Sequence, residues 1–184
     1  MDNNGSVSSL KPILDVCCGS KMFYFNKDNP NVLFQDIREI DTYLCDGRHF
    51  VIAPDVVADF RHMSYPDNTF RMVVFDPPHL LRNIKHSKMS DIYSSSLPRK
   101  GVTGYQMIKY GALGNADWKE TLSLGFKECF RVLQPGGFLI FKWNDIDKPV
   151  SEILKLTDQQ PIFGHISGKR ANTHWICFMK KIDQ

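Results

Sequence analysis

The stretch ILDVCCGS, residues 13–20, decides the fold that the sequence predicts. A short apolar run leads into a glycine-containing turn, which is the pattern of a buried strand followed by a tight loop. Further apolar runs, each followed by turn residues, are NVLFQDI (31–37), DVVADF (55–60), RMVVFD (71–76) and GFLIFKW (137–143). Their apolar residues are nearly continuous rather than alternating, which is typical of parallel strands covered on both faces. The sequence therefore predicts an α/β fold.

Acidic residues recur at or near the ends of four of these strands. They are Asp15, Asp36, Asp59 and Asp76. In open α/β sheets the ligand crevice lies at the carboxyl ends of the strands. The regular placement of the acids predicts a ligand site along that edge of the sheet.

The other elements follow from periodicity and turn residues. The clearest helix covers 116–133, with Asn115 as a plausible N-cap, and the segment QPGG (134–137) is expected to end it. Beyond it we predict a short helix at 149–157 and two strands at 161–166 and 173–180, joined by the turn SGKRAN.

The bulk composition indicates one domain. The chain has 184 residues, is 42% apolar and carries a net charge of +3, which is too small to indicate nucleic-acid binding by itself. Its five cysteines lack CxxC spacing and the polar segment 1–10 shows no leader, so we expect reduced thiols, a cytoplasmic protein and no metal site. No apolar run approaches the ~18 residues of a membrane span. We expect residues 1–10 to be disordered and 11–184 to form the domain.

The long segment 79–114 differs from the rest of the chain. It carries six basic residues against the single acid Asp91. The cations are Arg82, Lys85, Lys88, Arg99, Lys100 and Lys109. Long loops in compact domains are usually functional or disordered. A basic loop beside a ligand site favours a phosphate-bearing substrate, and the alternative is a solvated mobile loop.

The tetrapeptide Asp76-Pro77-Pro78-His79 follows the apolar run MVVF. Its two prolines fix φ near −65° and remove two backbone donors, so a carboxylate and neighbouring carbonyls are presented in one conformation. Such a rigid set of acceptors suits the two hydrogens of an amine. The segment therefore predicts chemistry at nitrogen.

With these motifs in this order, from about residue 12 to 181, the chain resembles the class I, Rossmann-like S-adenosylmethionine-dependent methyltransferases. The likeness is to the DPPY-type enzymes that methylate amino groups of nucleic-acid bases. It implies a single three-layer domain, with a seven-stranded, mostly parallel sheet that ends in an antiparallel hairpin. The segment DVCCGS is similar to the family's Asp-x-Gly-x-Gly-x-Gly loop, in which Asp15 and Gly19 are kept. Cys17 and Lys21 replace two glycines, and the short segment that follows leaves room for a first helix of one or two turns.

The resemblance also implies roles for individual residues. Asp36 would accept the ribose hydroxyls, Asp59 the adenine amine, and Phe60 would pack on the adenine ring. The implied cofactor-binding set is Asp15, Cys17, Cys18, Gly19, Asp36, Asp59 and Phe60. The implied catalytic set is Asp76, Pro77, Pro78 and His79, which are similar to the family's [DNS]-Pro-Pro-aromatic tetrad. His79 departs from the usual aromatic residue, and it can stack on a base, act as a base or donate a hydrogen bond.

The function implied is methyl transfer from S-adenosylmethionine to an exocyclic amine of a base in DNA or RNA. The implied substrate contacts are Arg82, Lys85, Lys88, Arg99 and Lys100. No separate target-recognition domain is evident, so a partner subunit is one expectation, and the compact form fits a phage or prophage enzyme. Two alternatives stay open. One is methylation of a small molecule or protein side chain, and the other is a non-catalytic partner subunit with this fold.

Overall fold

The computed structural model describes residues 11–44, 46–82, 111–114, 116–167 and 172–182. The strands are β1 (Ile13–Asp15), β2 (Val32–Asp36), β3 (Ile40–Tyr43), β4 (His49–Ile52), β5 (Val56–Val57), β6 (Phe70–Phe75), β7 (Leu81–Arg82), β8 (Leu113–Gly114), β9 (Leu133–Asn144), β10 (Pro161–Ser167) and β11 (Thr173–Met179). The helices are α1 (Trp118–Val132) and α2 (Val150–Ile153), and a 3₁₀ turn (Leu154–Leu156) follows α2.

Seven strands form one sheet in the order β10-β11-β9-β6-β1-β2-β5. Neighbours from β9 to β5 are parallel, and β11 is antiparallel to both β9 and β10. The predicted α/β fold with a final antiparallel hairpin is confirmed. The register sets Asp15 beside Val74 and Phe34, so β1, β2 and β6 end at the same edge of the sheet. Asp36 is the last residue of β2, and Asp76 follows β6 directly.

The main core lies between the sheet and helix α1. Its apolar positions on α1 include Leu122 and Phe126, and the facing sheet residues include Phe75 and Phe141, all at most 1% exposed. Phe126 contacts both sheet rings, with centroid distances of 5.4 Å to Phe75 and 4.9 Å to Phe141. Helix α2 and its 3₁₀ turn join the same cluster. Among the described residues, both helices therefore pack on one face of the sheet.

The segment between β1 and β2 differs from the expectation. Residues 16–31 form turns and bends without a helix, so the predicted first helix is wrong. Asn26 and Asn29 accept hydrogen bonds from backbone N–H groups two residues on, a local pattern that competes with helix formation. Tyr24 from this segment packs with Cys18, Val32 and Phe34 on the second face of the sheet. Among the described residues, the second face of the sheet is covered here by this loop and not by a helix.

Helix α1 ends earlier than predicted. It ends at Val132, and β9 begins at Leu133 and runs through the QPGG segment. The N–H of Gly136 donates to Lys180, and Lys180 donates back to the carbonyl of Gly137, so this segment is paired with the chain beyond β11. At the other end Asp117 occupies the N-cap position, and the predicted cap Asn115 lies outside the described residues.

The sequence analysis also missed an antiparallel hairpin between β2 and β5. Strands β3 and β4 pair from Ile40 opposite Ile52 to Tyr43 opposite His49, and they bury a small cluster of their own. The short final helix and the last two strands match their predictions closely. The N-terminal segment 1–10, residues 83–110 and most of the SGKRAN turn lie outside the described residues.

Candidate active site

A cavity of about 340 Å³ opens at the carboxyl ends of β1, β6 and β9. Six residues singled out from the sequence line it: Cys17, Cys18, Gly19, Asp76, Pro77 and His79. The structure thus brings together the loop after β1 and the DPPH segment after β6. Asp15, Asp36, Asp59, Phe60 and Pro78 from the predicted sets are not among its lining residues.

The loop after β1 keeps a tight turn although two glycines of the related motif are replaced. Gly19 has φ +51° and Lys21 has φ +55°, so both adopt the left-handed conformation that glycine favours. The N–H of Lys21 donates to the Cys18 carbonyl at 2.9 Å, and Asp15 Oδ1 accepts the Cys17 N–H at 3.2 Å. Lys21 therefore takes a backbone conformation that glycine favours.

Asp15 lies completely buried behind this loop. Desolvation by burial raises the pKa of its carboxyl to about 7, and the neighbouring Asp76 and Asp36 charges add to the shift. Asp15 Oδ2 and the Tyr24 hydroxyl are both buried. A hydrogen bond from the Tyr24 hydroxyl lowers the pKa of this carboxyl, against the effect of burial.

Asp36 ties the loop to the end of β2. Its carboxylate, 2% exposed, accepts the Gly19 N–H at 2.9 Å and the Arg38 N–H at 2.9 Å. The Arg38 guanidinium adds bonds of 2.9 Å from Nε and 3.3 Å from Nη2. Arg38 itself lines the cavity. A ribose that binds Asp36 must therefore share the carboxylate with Arg38.

Asp59 has the same local arrangement. Arg61, two residues on, donates through Nε and Nη2 at 2.9 Å and 2.6 Å. Burial works to raise the pKa of Asp59, but the hydrogen bonds from Arg61 hold it below its usual value. The stacking of Phe60 on adenine stays a prediction, and the structure shows where its ring packs. Phe60 is 4% exposed, packs edge-on against Phe75 at 5.2 Å and sits beside Gly125 of α1, so it belongs to the core.

The end of the cavity at the DPPH segment contains a salt bridge between neighbouring strand ends. Lys142 Nζ of β9 lies 2.5 Å from Asp76 Oδ2, with the two side chains 27% and 21% exposed. Burial raises the pKa of Asp76, and the Lys142 charge and hydrogen bond act in the opposite direction. The cavity therefore presents a carboxylate that is already paired with an ammonium.

The described ends of the basic segment 79–114 meet beside the cavity. Leu81 donates its N–H to Asp147 Oδ2 at 2.7 Å, and Leu113 donates to the Leu80 carbonyl at 2.8 Å. Strands β7 and β8 then pair in parallel. Arg82 lies in β7, and Lys85, Lys88, Arg99 and Lys100 lie outside the described residues. Their contacts with a substrate stay predictions.

Several cavity residues were not identified from the sequence. They include Phe23, Arg38, Lys142, Trp143, Asn144 and Thr173. Lys142, Trp143 and Asn144 lie at the end of the fifth apolar run. The carboxyl ends of the strands were the criterion that selected the acidic residues, and it applies equally to these three. The His79 ring lies 6.4 Å from the Trp143 ring and nearly perpendicular to it. Burial raises the pKa of the Cys17 and Cys18 thiols, which agrees with small, unreactive side chains.

Comparison with known proteins shows which solved structures share this architecture. No protein-family model and no curated protein matches the chain. It is similar in structure to the PH0226 protein of Pyrococcus horikoshii, with 16% identity, a TM-score of 0.54 and coverage of 92% of this chain and 81% of that one. The chain has the class I methyltransferase fold.

Two more solved structures with this fold are similar to it. One is an S-adenosylmethionine-dependent methyltransferase of Methanosarcina mazei, with 13% identity, a TM-score of 0.53 and coverage of 93% of this chain and 92% of that one. The other is a TehB-like methyltransferase of Corynebacterium glutamicum, with 11% identity, a TM-score of 0.51 and coverage of 92% and 79%. Among the residues that the structure describes, no group of three or more His, Cys, Asp or Glu side chains could hold a metal ion. None of the described helices is long and apolar enough to cross a membrane.

Proposed function

We propose that the chain is an S-adenosylmethionine-dependent methyltransferase that acts on an exocyclic amine of a nucleobase. The observation that carries this proposal is the single cavity that joins the Gly19 loop to Asp76, Pro77 and His79. A cofactor loop and a rigid acceptor segment that face one space are what direct group transfer requires.

The residues at the strand ends fit the cofactor. The left-handed turn at Gly19 gives a ligand access to the backbone of the loop that lines the cavity. Under this proposal Asp36 accepts ribose hydroxyls once Arg38 shares its oxygens, and Asp59 accepts the adenine amine. The bound cofactor supplies an electrophilic methyl group on a positively charged sulfur.

The acceptor chemistry follows from the geometry at Asp76. Lys142 binds Oδ2, which among the described residues leaves Oδ1 and the Pro77 carbonyl to accept the two amine hydrogens. Two acceptors pull the nitrogen toward tetrahedral geometry and direct its lone pair into the cavity. As the N–C bond forms, the bond from the methyl group to sulfur breaks, and its electron pair stays on the sulfur, which becomes a neutral thioether. The nitrogen then carries a positive charge and loses one proton to Asp76 or to water. Positioning of this kind is worth at most about 7–11 kcal/mol of the barrier.

The basic segment supports a nucleic-acid substrate. Its two described ends are fixed by β7 and β8 at the mouth of the cavity, because Leu80 and His79 line the cavity directly before β7. Six cations on a segment held there would face the phosphates of a strand whose base enters the cavity. His79 would stack on that base in place of the usual aromatic residue.

The test measures methyl transfer from radiolabelled S-adenosylmethionine to single-stranded and duplex DNA and RNA. Asp76→Ala should retain cofactor affinity and lose about 10²-fold or more in turnover, because it removes the side-chain acceptor. Asp158→Ala is the matched control, since Asp158 is an exposed acid that bonds only to Gln159 among the described residues. Equal turnover in wild type and Asp76→Ala would contradict the proposal.

A non-catalytic subunit with this fold is the second candidate. The observation in its favour is that Arg38 occupies the carboxylate of Asp36 through two guanidinium bonds. If Arg38 does not share that carboxylate, the folded protein will not bind S-adenosylmethionine, and calorimetry distinguishes the two candidates directly.

A further inference from the structure

We propose that Lys142 is a positioning residue for methyl transfer, which holds Asp76 as an oriented carboxylate and is itself fixed by the rings of Phe23 and Trp175. This inference rests on the proposed function, because it assigns a role at the same acceptor site. Neither Lys142 nor Trp175 is among the site residues that the sequence predicts.

Strand β9 fixes where Lys142 points. Its neighbours Phe141 and Trp143 are 0% and 1% exposed and face the helix side of the sheet. Alternation along a strand sends Lys142 to the opposite face, and its side chain reaches the cavity at the end of the strand, which Trp143 also lines. On β11, Trp175 is the direct cross-strand partner of Lys142. The lysine is therefore placed by two neighbouring strands rather than by a loop.

The Lys142 ammonium has three partners from three different segments. Asp76 after β6 accepts its hydrogen bond at 2.5 Å. The ring centroids of Phe23, from the loop after β1, and of Trp175 lie 5.5 Å and 5.6 Å from Nζ. These two rings contact each other edge to face at 5.4 Å. Cation–π contacts of this length add to an ion pair and restrict the side chain.

This enclosure distinguishes the pair from an ordinary surface salt bridge. An exposed lysine retains most of its rotamer entropy, and its salt bridges contribute little to stability. Lys142 is 27% exposed and has an aromatic ring on two sides, so it gives up rotamer freedom and hydration. Such an arrangement is expected where the orientation of the partner carboxylate matters for function.

The charges around Asp76 explain why a cation is needed there. Asp15 at the end of β1 and Asp36 at the end of β2 are acids of the same strand-end cluster. Arg38 is bonded to Asp36, and Lys142 donates directly to Asp76. Without Lys142, burial favours the protonated form of Asp76. A protonated carboxyl would offer a hydroxyl donor to the amine instead of an acceptor.

The test is a pH titration of the Asp76 carboxyl carbon by ¹³C NMR, with its signal assigned by Asp76→Asn. In Lys142→Met the titration midpoint should move to higher pH, and Lys142→Arg should restore it toward wild type. Lys148→Met is the matched control, because Lys148 is 32% exposed, pairs with Glu152 at 3.9 Å and lies 5.3 Å from the Trp118 ring. Lys142→Gln provides a second neutral variant if the methionine variant does not fold.

An unchanged Asp76 midpoint in the neutral Lys142 variants would overturn the inference. This result does not depend on whether wild type binds S-adenosylmethionine, so it is distinct from a failure of the proposed function. In an assay with an identified methyl acceptor, Lys142→Met should lower kcat about 10²-fold and leave cofactor affinity unchanged. The acid limb of the pH profile of kcat should shift to higher pH. A turnover loss that Lys142→Arg fails to reduce, without a shift of that limb, would contradict a positioning role.

Discussion

The buried Asp15 carboxyl should make the stability of the fold fall as the pH rises. Its pKa is about 7 in the native protein against 3.8 for the ordinary group, because no water reaches it. Between these values the native state keeps a proton that the unfolded chain has released. The full stability is therefore present below about pH 4 and is lost as the pH rises toward 7.

The size of this loss follows from the shift. Each pKa unit corresponds to about 1.4 kcal/mol, so a rise from 3.8 to about 7 amounts to about 4 kcal/mol. Asp15→Asn cannot ionise and should not suffer the loss. The substitution adds a cost of its own for the amide, but that cost is the same at every pH. The informative quantity is the change, between pH 4.5 and pH 8, in the stability difference between variant and wild type.

Urea denaturation followed by circular dichroism at several pH values measures this quantity. Asp15→Asn should gain about 3–4 kcal/mol relative to wild type over this range. Titrating groups that do not interact with Asp15 act equally in both proteins and cancel. Asp158→Asn, which removes an exposed acid, should show no such gain. Parallel stability curves for wild type and Asp15→Asn would refute the argument that desolvation governs this carboxyl.

Two further predictions concern tight backbone positions. Lys21 has φ +55°, and its ammonium lies 4.1 Å from the Phe34 ring centroid. Lys21→Gly removes both the left-handed strain and this cation–π contact, so the two effects should nearly cancel. Lys21→Val keeps the left-handed conformation with a bulkier Cβ and loses the contact, so it should lower the free energy of unfolding by about 1–2 kcal/mol in urea denaturation. Similar destabilisation by the two variants would contradict this account of the turn. A Cβ at Gly125 would lie 2.7 Å from the Phe75 ring, so Gly125→Ala should lower thermal stability by about 1–3 kcal/mol. Ser123→Ala, on the exposed face of the same helix, is its control, and a neutral Gly125→Ala would contradict the packing.

The sheet could be predicted from the sequence because its signals are local. Near-continuous apolar runs mark parallel strands, and the same pattern places Asp15 and Asp76 at one edge. The β3–β4 hairpin also has a local signal in the sequence, because the turn-forming pair Asp46-Gly47 lies between its strands. In the structure Gly47 has φ +80°, as such a turn requires.

The failures come from interactions with distant residues and from local side-chain bonds. The QPGG segment is a strand because Lys180, far along the chain, pairs with it, and no nearby residue signals this. The partners of the acids were also unpredictable, because the Lys142–Asp76 bond spans 66 positions. By contrast, Arg38 and Arg61 each lie only two residues after their salt-bridge partners, Asp36 and Asp59. An Asp-x-Arg pattern at the end of a predicted strand is therefore a local signal for such a salt bridge.

Binding of the cofactor is the most direct test of the central claim. We would titrate wild type, Asp36→Ala and Asp46→Ala with S-adenosylmethionine and S-adenosylhomocysteine by calorimetry, after confirming their fold by circular dichroism. Asp46 is the matched control, because it forms the same turn and salt bridge with Arg48 in the exposed β3–β4 hairpin. We predict dissociation constants of roughly 1–100 μM for wild type and Asp46→Ala, and no binding for Asp36→Ala. Absence of binding by folded wild type would contradict the account.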